Sequence, residues 1–209
     1  MKEGLRWQLK DIIMVAVLGL VFAVIYLAIL YAGVAVTAVL TPFGLAPFGY
    51  EIFYGIWFMG ATVAAFIIQK PGVALVTEFL AAFLEFLMGN MGGPLVLISG
   101  LMQGVGCEIG FAMFRYRRFD TLSMCMSGIM AAVVSFLWGF VQSAYALITP
   151  GMLVAMLAVR IVSAVVFAGL ISKLAGQGLA KTGVLKSYAL GAKYGTAKIM
   201  DEDEMEAGA

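Results

Sequence analysis

Six apolar runs, each long enough to cross a lipid bilayer, leave this chain few architectures other than a membrane-spanning helical bundle. A bilayer core about 30 Å thick takes about 20 residues of helix. The runs fall near 11–36, 49–69, 72–89, 94–115, 121–148 and 151–176. The breaks between them carry turn chemistry: Pro42, Gly44, Pro47 and Gly49 in the first, Lys70-Pro71-Gly72 in the second, Gly89 to Pro94 in the third, Arg115 to Asp120 in the fourth and Thr149-Pro150-Gly151 in the fifth. Of the 209 residues, 63% are hydrophobic and 12% charged. A soluble domain carries about 25% charged residues, so one membrane domain is the economical reading. The fold class expected is all-α: a six-transmembrane-helix bundle over residues 1–176, followed by a tail over 177–209.

Basic residues set the orientation. Lys2, Arg6 and Lys10 precede the first run, Lys70 follows the second, Arg115, Arg117 and Arg118 follow the fourth, and Lys173, Lys181 and Lys186 mark the end of the sixth. The other three loops contain neither lysine nor arginine. Every basic loop falls on one side, so both termini are expected in the cytoplasm and the protein in the plasma membrane. Met1–Asp11 does not read as part of a cleavable signal, because the apolar run after it is too long and lacks a cleavage site. The end of the chain, with Asp201, Glu202, Asp203, Glu204 and Glu206, reads as a solvated tail.

The chain has no histidine, which removes His-dependent proton relays, Ser–His and Cys–His nucleophiles and His-ligated metals. Cys107 and Cys125 are lone thiols in apolar runs and form no metal or disulfide pattern. No P-loop is present, and no lysine other than Lys173, near the inner end of the sixth run, lies within a run to serve a Ser–Lys dyad. No catalytic residue, metal site or cofactor is expected. The thin basic residues at helix ends show no footprint for nucleic acid.

Ionisable groups inside lipid are functional candidates by default. Apart from Asp11, Arg115 and Lys173 at or near the inner ends, five lie in the runs: Glu51, Glu78, Glu85, Glu108 and Arg160. Arg160 can neutralise one carboxylate; the others must be protonated, solvated or paired with something outside the chain, such as a cationic ligand. Glu51 and Glu85 lie near outer helix ends, where Glu51 reads equally well as an interfacial residue near water. Glu78 sits deeper, on the face of Glu85 at i, i+7 spacing. Glu108 lies in the inner half, where a structural role is expected, with Arg160 or a neighbouring helix.

Two aromatic stripes keep company with these carboxylates in the outer half. Tyr50, Tyr54 and Trp57 fall at helical spacing on the second run, and Trp138, Gln142 and Tyr145 on the fifth. Gln103 and Asn90 add amides. Aromatic faces stack on flat heterocycles and attract organic cations; packing or the interfacial aromatic belt is the competing explanation for both stripes. The implied ligand is small, flat, partly aromatic and cationic. The apolar stretch Thr37–Phe48 is a candidate lid. Small residues on the first helix, Ala16, Gly19, Ala23 and Ala28, serve internal packing or a docking face for another membrane subunit.

The stretch Tyr50 to Gly60, then Ile68 to Gly72, Glu78 to Glu85, Gly89-Asn90 and Gly100 to Gly104, resembles the YkoE-type substrate-binding (S) components of energy-coupling-factor (ECF) transporters, over residues 8–176. The resemblance implies a six-helix membrane protein that binds a vitamin or metal near its outer face and works with a transmembrane coupling subunit and two cytoplasmic ATPases within the membrane lipid. It implies thiamine or its hydroxymethylpyrimidine precursor as ligand, and small residues on the first helix, here Ala16, Gly19, Ala23 and Ala28, as the docking surface. The expected ligand contacts are Glu78 and Glu85 for the cation and aminopyrimidine, Tyr54, Trp57, Trp138 and Tyr145 for the rings, and Gln103, Gln142 and Asn90 for polar edges, with Glu51 nearby. A self-sufficient cation channel or secondary transporter is the alternative, although no internal repeat supports it.

Overall fold

The computed structural model describes residues 6–143 and 145–194. The described residues are helical throughout, without strands. Helix α1 (Leu9–Leu40) is 32 residues long, about 48 Å at 1.5 Å per residue, and so overruns a bilayer core. Its start is fixed by Asp11, whose carboxylate accepts the amide of Gln8 at 2.7 Å and the ammonium of Lys70 at 2.6 Å. Two short 3-10 turns, Thr41–Phe43 and Ala46–Phe48, lead to the second crossing.

That crossing is not a single α-helix. Its outer half, Glu51–Phe58, is a 3-10 helix, and only Met59–Ile68 (α2) is α-helical. A neighbouring hydroxyl bridges one of its turns. The Gly55 amide donates to Ser163 Oγ at 2.9 Å, and Ser163 Oγ donates to the Ile52 carbonyl at 2.7 Å. The hydroxyl thus bridges an amide and a carbonyl three residues apart, a pair that a 3-10 turn would otherwise join directly. Gly55 permits the approach, because a Cβ there would collide with the Ser163 carbonyl and the Ala164 amide.

Helix α3 (Val73–Leu87) has 15 residues, about 22 Å of rise. Helices α4 (Leu95–Met113) and α5 (Thr121–Gln142) follow. Helix α6 (Pro150–Ala164) passes through a π-helical stretch, Val165–Ile171, into α7 (Ser172–Lys181) without a break. Five helical segments among the described residues are long and apolar enough to cross a membrane: Leu9–Phe43, Ala46–Ile68, Leu95–Met113, Thr121–Gln142 and Pro150–Lys181. The third of the six expected spans, 72–89, is the one that falls short. Gly72 and Gly89 take positive φ at its two ends, and such residues close a helix.

The bundle is tied by close backbone approaches. Cβ atoms at Gly106 and Gly110 of α4 would strike the backbones of Ala131 and Ser127 of α5. Gly19 and Ala23, expected on a docking face, point into the bundle instead. A Cβ on Gly19 would meet Leu80 of α3 at 3.0 Å, and Ala23 is fully buried. These small residues let α1 lie against α3. Ala16 and Ala28 remain exposed.

Helix does not stop at residue 176. It runs to Lys181, and the chain then turns back against the body. Leu185 and Leu190 are buried in the main core, the Tyr188 hydroxyl donates to the Lys10 carbonyl at 2.8 Å, and Lys10 Nζ donates to the Ser187 carbonyl at 2.5 Å. Lys2 and the acidic stretch from Asp201 to Glu206 lie outside the described residues.

Candidate ligand cavity

A cavity of about 580 Å³ lies among α1, the 3-10 segment, α3, α4 and the α5–α6 connection. That volume falls within the range of about 300–1,000 Å³ typical of small-molecule sites. Of the ten residues expected to bind ligand, nine line it: Glu51, Tyr54, Trp57, Glu78, Glu85, Asn90, Gln103, Gln142 and Tyr145. Ala46 and Pro47 of the candidate lid line it as well, as does Thr37 from within α1.

Winding explains the wall on the second crossing. In a 3-10 helix three residues make a turn, so side chains at i, i+3 and i+6 eclipse. Glu51, Tyr54 and Trp57 have that spacing and all face the cavity. Tyr50, Tyr54 and Trp57 of the expected stripe all line the cavity, and the 3-10 winding adds Glu51 to them; the Tyr50 and Trp57 ring centroids lie 6.2 Å apart.

Glu51 is buried rather than interfacial, at 1% exposure, and it is the partner of Arg160. The guanidinium donates from Nε to Glu51 Oε2 and from an Nη to Glu51 Oε1, both at 2.6 Å. A two-point pair of this kind is the strong form of the contact. The same Arg160 donates to the Tyr145 hydroxyl at 2.8 Å and to Ser135 Oγ at 3.2 Å, while Tyr145 donates to Glu51 Oε1 at 3.1 Å. The guanidinium carbon lies 3.5 Å from the Tyr54 ring centroid and 5.0 Å from that of Phe136.

Glu108, the other candidate partner for Arg160, has a different task. Its Oε1 accepts the amides of Ala74 and Leu75 at 2.9 and 3.3 Å, capping the first turn of α3, and its Oε2 accepts the Tyr116 hydroxyl at 2.6 Å. Helix N-termini favour a carboxylate there. Arg115 and Tyr116 both take positive φ to bring that ring into place. Burial first, and then the hydrogen bond to the Glu108 carboxylate, push the Tyr116 phenol up.

Glu78 and Glu85 are left without a basic partner. Glu78 is fully buried; its Oε2 accepts the Tyr26 hydroxyl at 2.9 Å and the Ala61 amide at 3.2 Å, and the Gly60 amide donates to that hydroxyl at 2.9 Å. These two amides open α2 halfway through the crossing. Glu78 Oε1 has no hydrogen-bond partner among the described residues. Glu85 accepts from Asn90 Nδ2 at 2.7 Å, and the Gly92 amide donates to Asn90 Oδ1. Seven residues of helix separate the two carboxylates, about 10 Å along α3.

Trp138 is the expected ligand residue that does not line the cavity. Its indole N–H donates to Ser99 Oγ at 3.0 Å, and Ser99 donates to Gln142 Oε1 at 2.6 Å. It stands behind two wall residues and holds them. The stripe through Trp138, Gln142 and Tyr145 is also interrupted, because α5 ends at Gln142 and Tyr145 begins a separate 3-10 turn, Tyr145–Leu147. Tyr145 packs its ring against Phe136 and Phe140, at 5.1 and 5.6 Å between centroids. With Arg160 against Tyr54, Trp57 and Tyr50 are the better stacking surfaces. Tyr26 and Ser99 were not anticipated in the wall. A phenol in the stretch from Ile12 to Leu30, otherwise apolar, was the available signal for Tyr26.

The family model described as the permease component of an ABC-type cobalt transport system matches residues 10–134. The chain is 40% identical over 185 residues to YkoE of Bacillus subtilis (strain 168), named an HMP/thiamine permease protein, covering 88% of this chain and 90% of that one. It is also similar to a crystal structure of an S component of an ECF transporter, with a TM-score of 0.91, 36% identity, and coverage of 95% of this chain and 98% of that one. The all-helical bundle, the apolar spans and these likenesses together establish that the chain is a multi-pass membrane protein belonging to the YkoE-type S components of ECF transporters.

Proposed function

We propose that this chain captures thiamine or its hydroxymethylpyrimidine moiety in the cavity and hands it to a transmembrane coupling subunit driven by two cytoplasmic ATPases. The observation that carries this reading is the pair of carboxylates, Glu78 and Glu85, that line the cavity without a basic partner. Thiamine carries an aminopyrimidine at one end and a cationic thiazolium at the other. An amine donor suits the free Glu78 Oε1, and the thiazolium suits Glu85 beside Trp57. Gln103 lies near the deep end with no protein partner among its hydrogen bonds here, suited to a ring nitrogen. Ala46 and Pro47 would close over the ligand. On this reading α3 crosses the membrane as well, giving six spans with both termini in the cytoplasm.

The family description raises cobalt as cargo. Among the described residues no three His, Cys, Asp or Glu side chains converge to hold a metal ion. Tryptophan quenching of the purified protein by thiamine, hydroxymethylpyrimidine, biotin and cobalt(II) tests the proposal, since Trp57 lies in the wall. Saturable quenching by the two pyrimidine compounds is expected. Binding of biotin or cobalt alone would overturn the ligand assignment, and uptake by the chain alone in liposomes without ATPases would overturn the assembly.

A further inference from the structure

Among the described residues no lysine or arginine lines the cavity. Arg160 stands one layer behind it, fully buried, and its guanidinium is enclosed: Glu51 takes two of its N–H groups, Tyr145 and Ser135 take others, and Tyr54 and Phe136 cover its faces. Three of these residues, Glu51, Tyr54 and Tyr145, are themselves cavity wall. Glu51 therefore lies between the cation and the ligand space. The backbone amides that open α2 at mid-depth are engaged too, by Tyr26 and Glu78.

We propose that Glu51 sets the charge of the ligand the cavity accepts. By holding Arg160 behind the wall, it leaves a cavity whose ionisable groups are carboxylates and phenols. Such a cavity admits neutral or cationic ring compounds and rejects anions, phosphate esters above all. This rests on the reading of the cavity as a vitamin-capture site. Hydroxymethylpyrimidine and thiamine both end in a primary alcohol that can carry a phosphate. A phosphate monoester adds about 1.5 to 2 negative charges near pH 7 and needs basic side chains or free backbone amides to receive it. Here it would meet Glu78 and Glu85 instead. The reaction that must supply substrate from an esterified source is phosphate-ester hydrolysis before capture, and the alcohol delivered is a substrate for phosphorylation afterwards. Glu51 is a specificity-determining residue acting through Arg160 and is not itself the ligand's partner.

Calorimetry on the full-length purified protein, titrated with thiamine and with thiamine monophosphate, tests this. The wild-type protein is expected to bind the ester about a hundredfold more weakly, or less. Glu51→Gln frees the Arg160 charge, and the preference for the alcohol is expected to shrink about tenfold, with the ester bound more tightly and thiamine less tightly. Should Glu51→Gln not fold, the double variant Glu51→Leu, Arg160→Met removes both charges and is expected to keep the wild-type preference. Equal binding of alcohol and ester by the wild-type protein overturns this proposal alone. An unchanged ratio in Glu51→Gln, or a lost preference in the double variant, does the same. Failure of the wild-type protein to bind either form overturns the vitamin-capture reading and this proposal with it.

Discussion

At the scale of the residue, four membrane-embedded carboxylates take three different roles. Glu51 is matched by Arg160, Glu108 caps a helix, and Glu78 and Glu85 face the cavity without a basic partner. The division predicts different substitution effects. Glu85→Gln is expected to weaken thiamine about tenfold, the loss of one charge-assisted contact, and neutral hydroxymethylpyrimidine hardly at all. Glu78→Gln is expected to weaken both, because the aminopyrimidine is common to them. Affinities of the two ligands for each variant check this; an equal loss of both ligands in Glu85→Gln would show that Glu85 reads the pyrimidine. The excess of carboxylate over base, and the shared face of Glu78 and Glu85, were legible in the sequence, since i, i+7 spacing is local. The assignment of Arg160 was not. Glu51 and Arg160 are 109 residues apart and Glu108 caps an amide 34 residues away, so only the packing of α6 on the second crossing could choose between them. Trp138 was misplaced for a related reason: an indole N–H shows from sequence that it needs an acceptor, not which side of a wall that acceptor stands on.

At the scale of the element, the second crossing shows how a change of winding alters what a helix presents. A segment read as α-helix from hydropathy and length is 3-10 over eight residues, with Ser163 bridging one of its turns. At about 2.0 Å of rise per residue rather than 1.5 Å, those eight residues cover about 16 Å instead of about 12 Å, and Glu51, Tyr54 and Trp57 fall into one row. Nothing local in the sequence announces this; Gly55 is the visible trace, and a glycine in a span reads as ordinary helix packing. Gly55→Ala places a methyl group against the Ser163 carbonyl and the Ala164 amide. The expected cost is about 1–3 kcal/mol of stability, the usual range for overpacking, together with weaker ligand binding as the row is displaced. Thermal unfolding in detergent and the thiamine affinity of the same variant check both effects. An unchanged melting temperature would mean that α6 can retreat from the segment without loss.

At the scale of the whole molecule, the alternation of basic and non-basic loops remains the basis for a sixth crossing by the short α3. If α3 crosses, the loops before α2 and after α3 lie on the same side. Phe43 and Met91 are both well exposed, at 73% and 60%, and suit labelling. In a protein with Cys107 and Cys125 replaced, Phe43→Cys and Met91→Cys are both expected to react with a membrane-impermeant thiol reagent from outside intact cells, and Arg117→Cys only after permeabilisation. Labelling of Phe43→Cys and Met91→Cys from opposite sides would show that α3 does not cross. The overall architecture was legible because hydropathy and loop charge act along the chain, whereas the end of the bundle was not. Residues 185–190 look like an unremarkable polar tail until Tyr188 and Ser187 are seen bonded to Lys10. That closure, across 177 residues of chain, bears on the order of assembly. As the ribosome releases the protein, α1 emerges first and its N-terminal end meets Lys70 early, yet the contacts to Lys10 wait for a segment that emerges much later. Until then the N-terminal end of α1 is held through Asp11 and Lys70, and the later segment adds the second fastening.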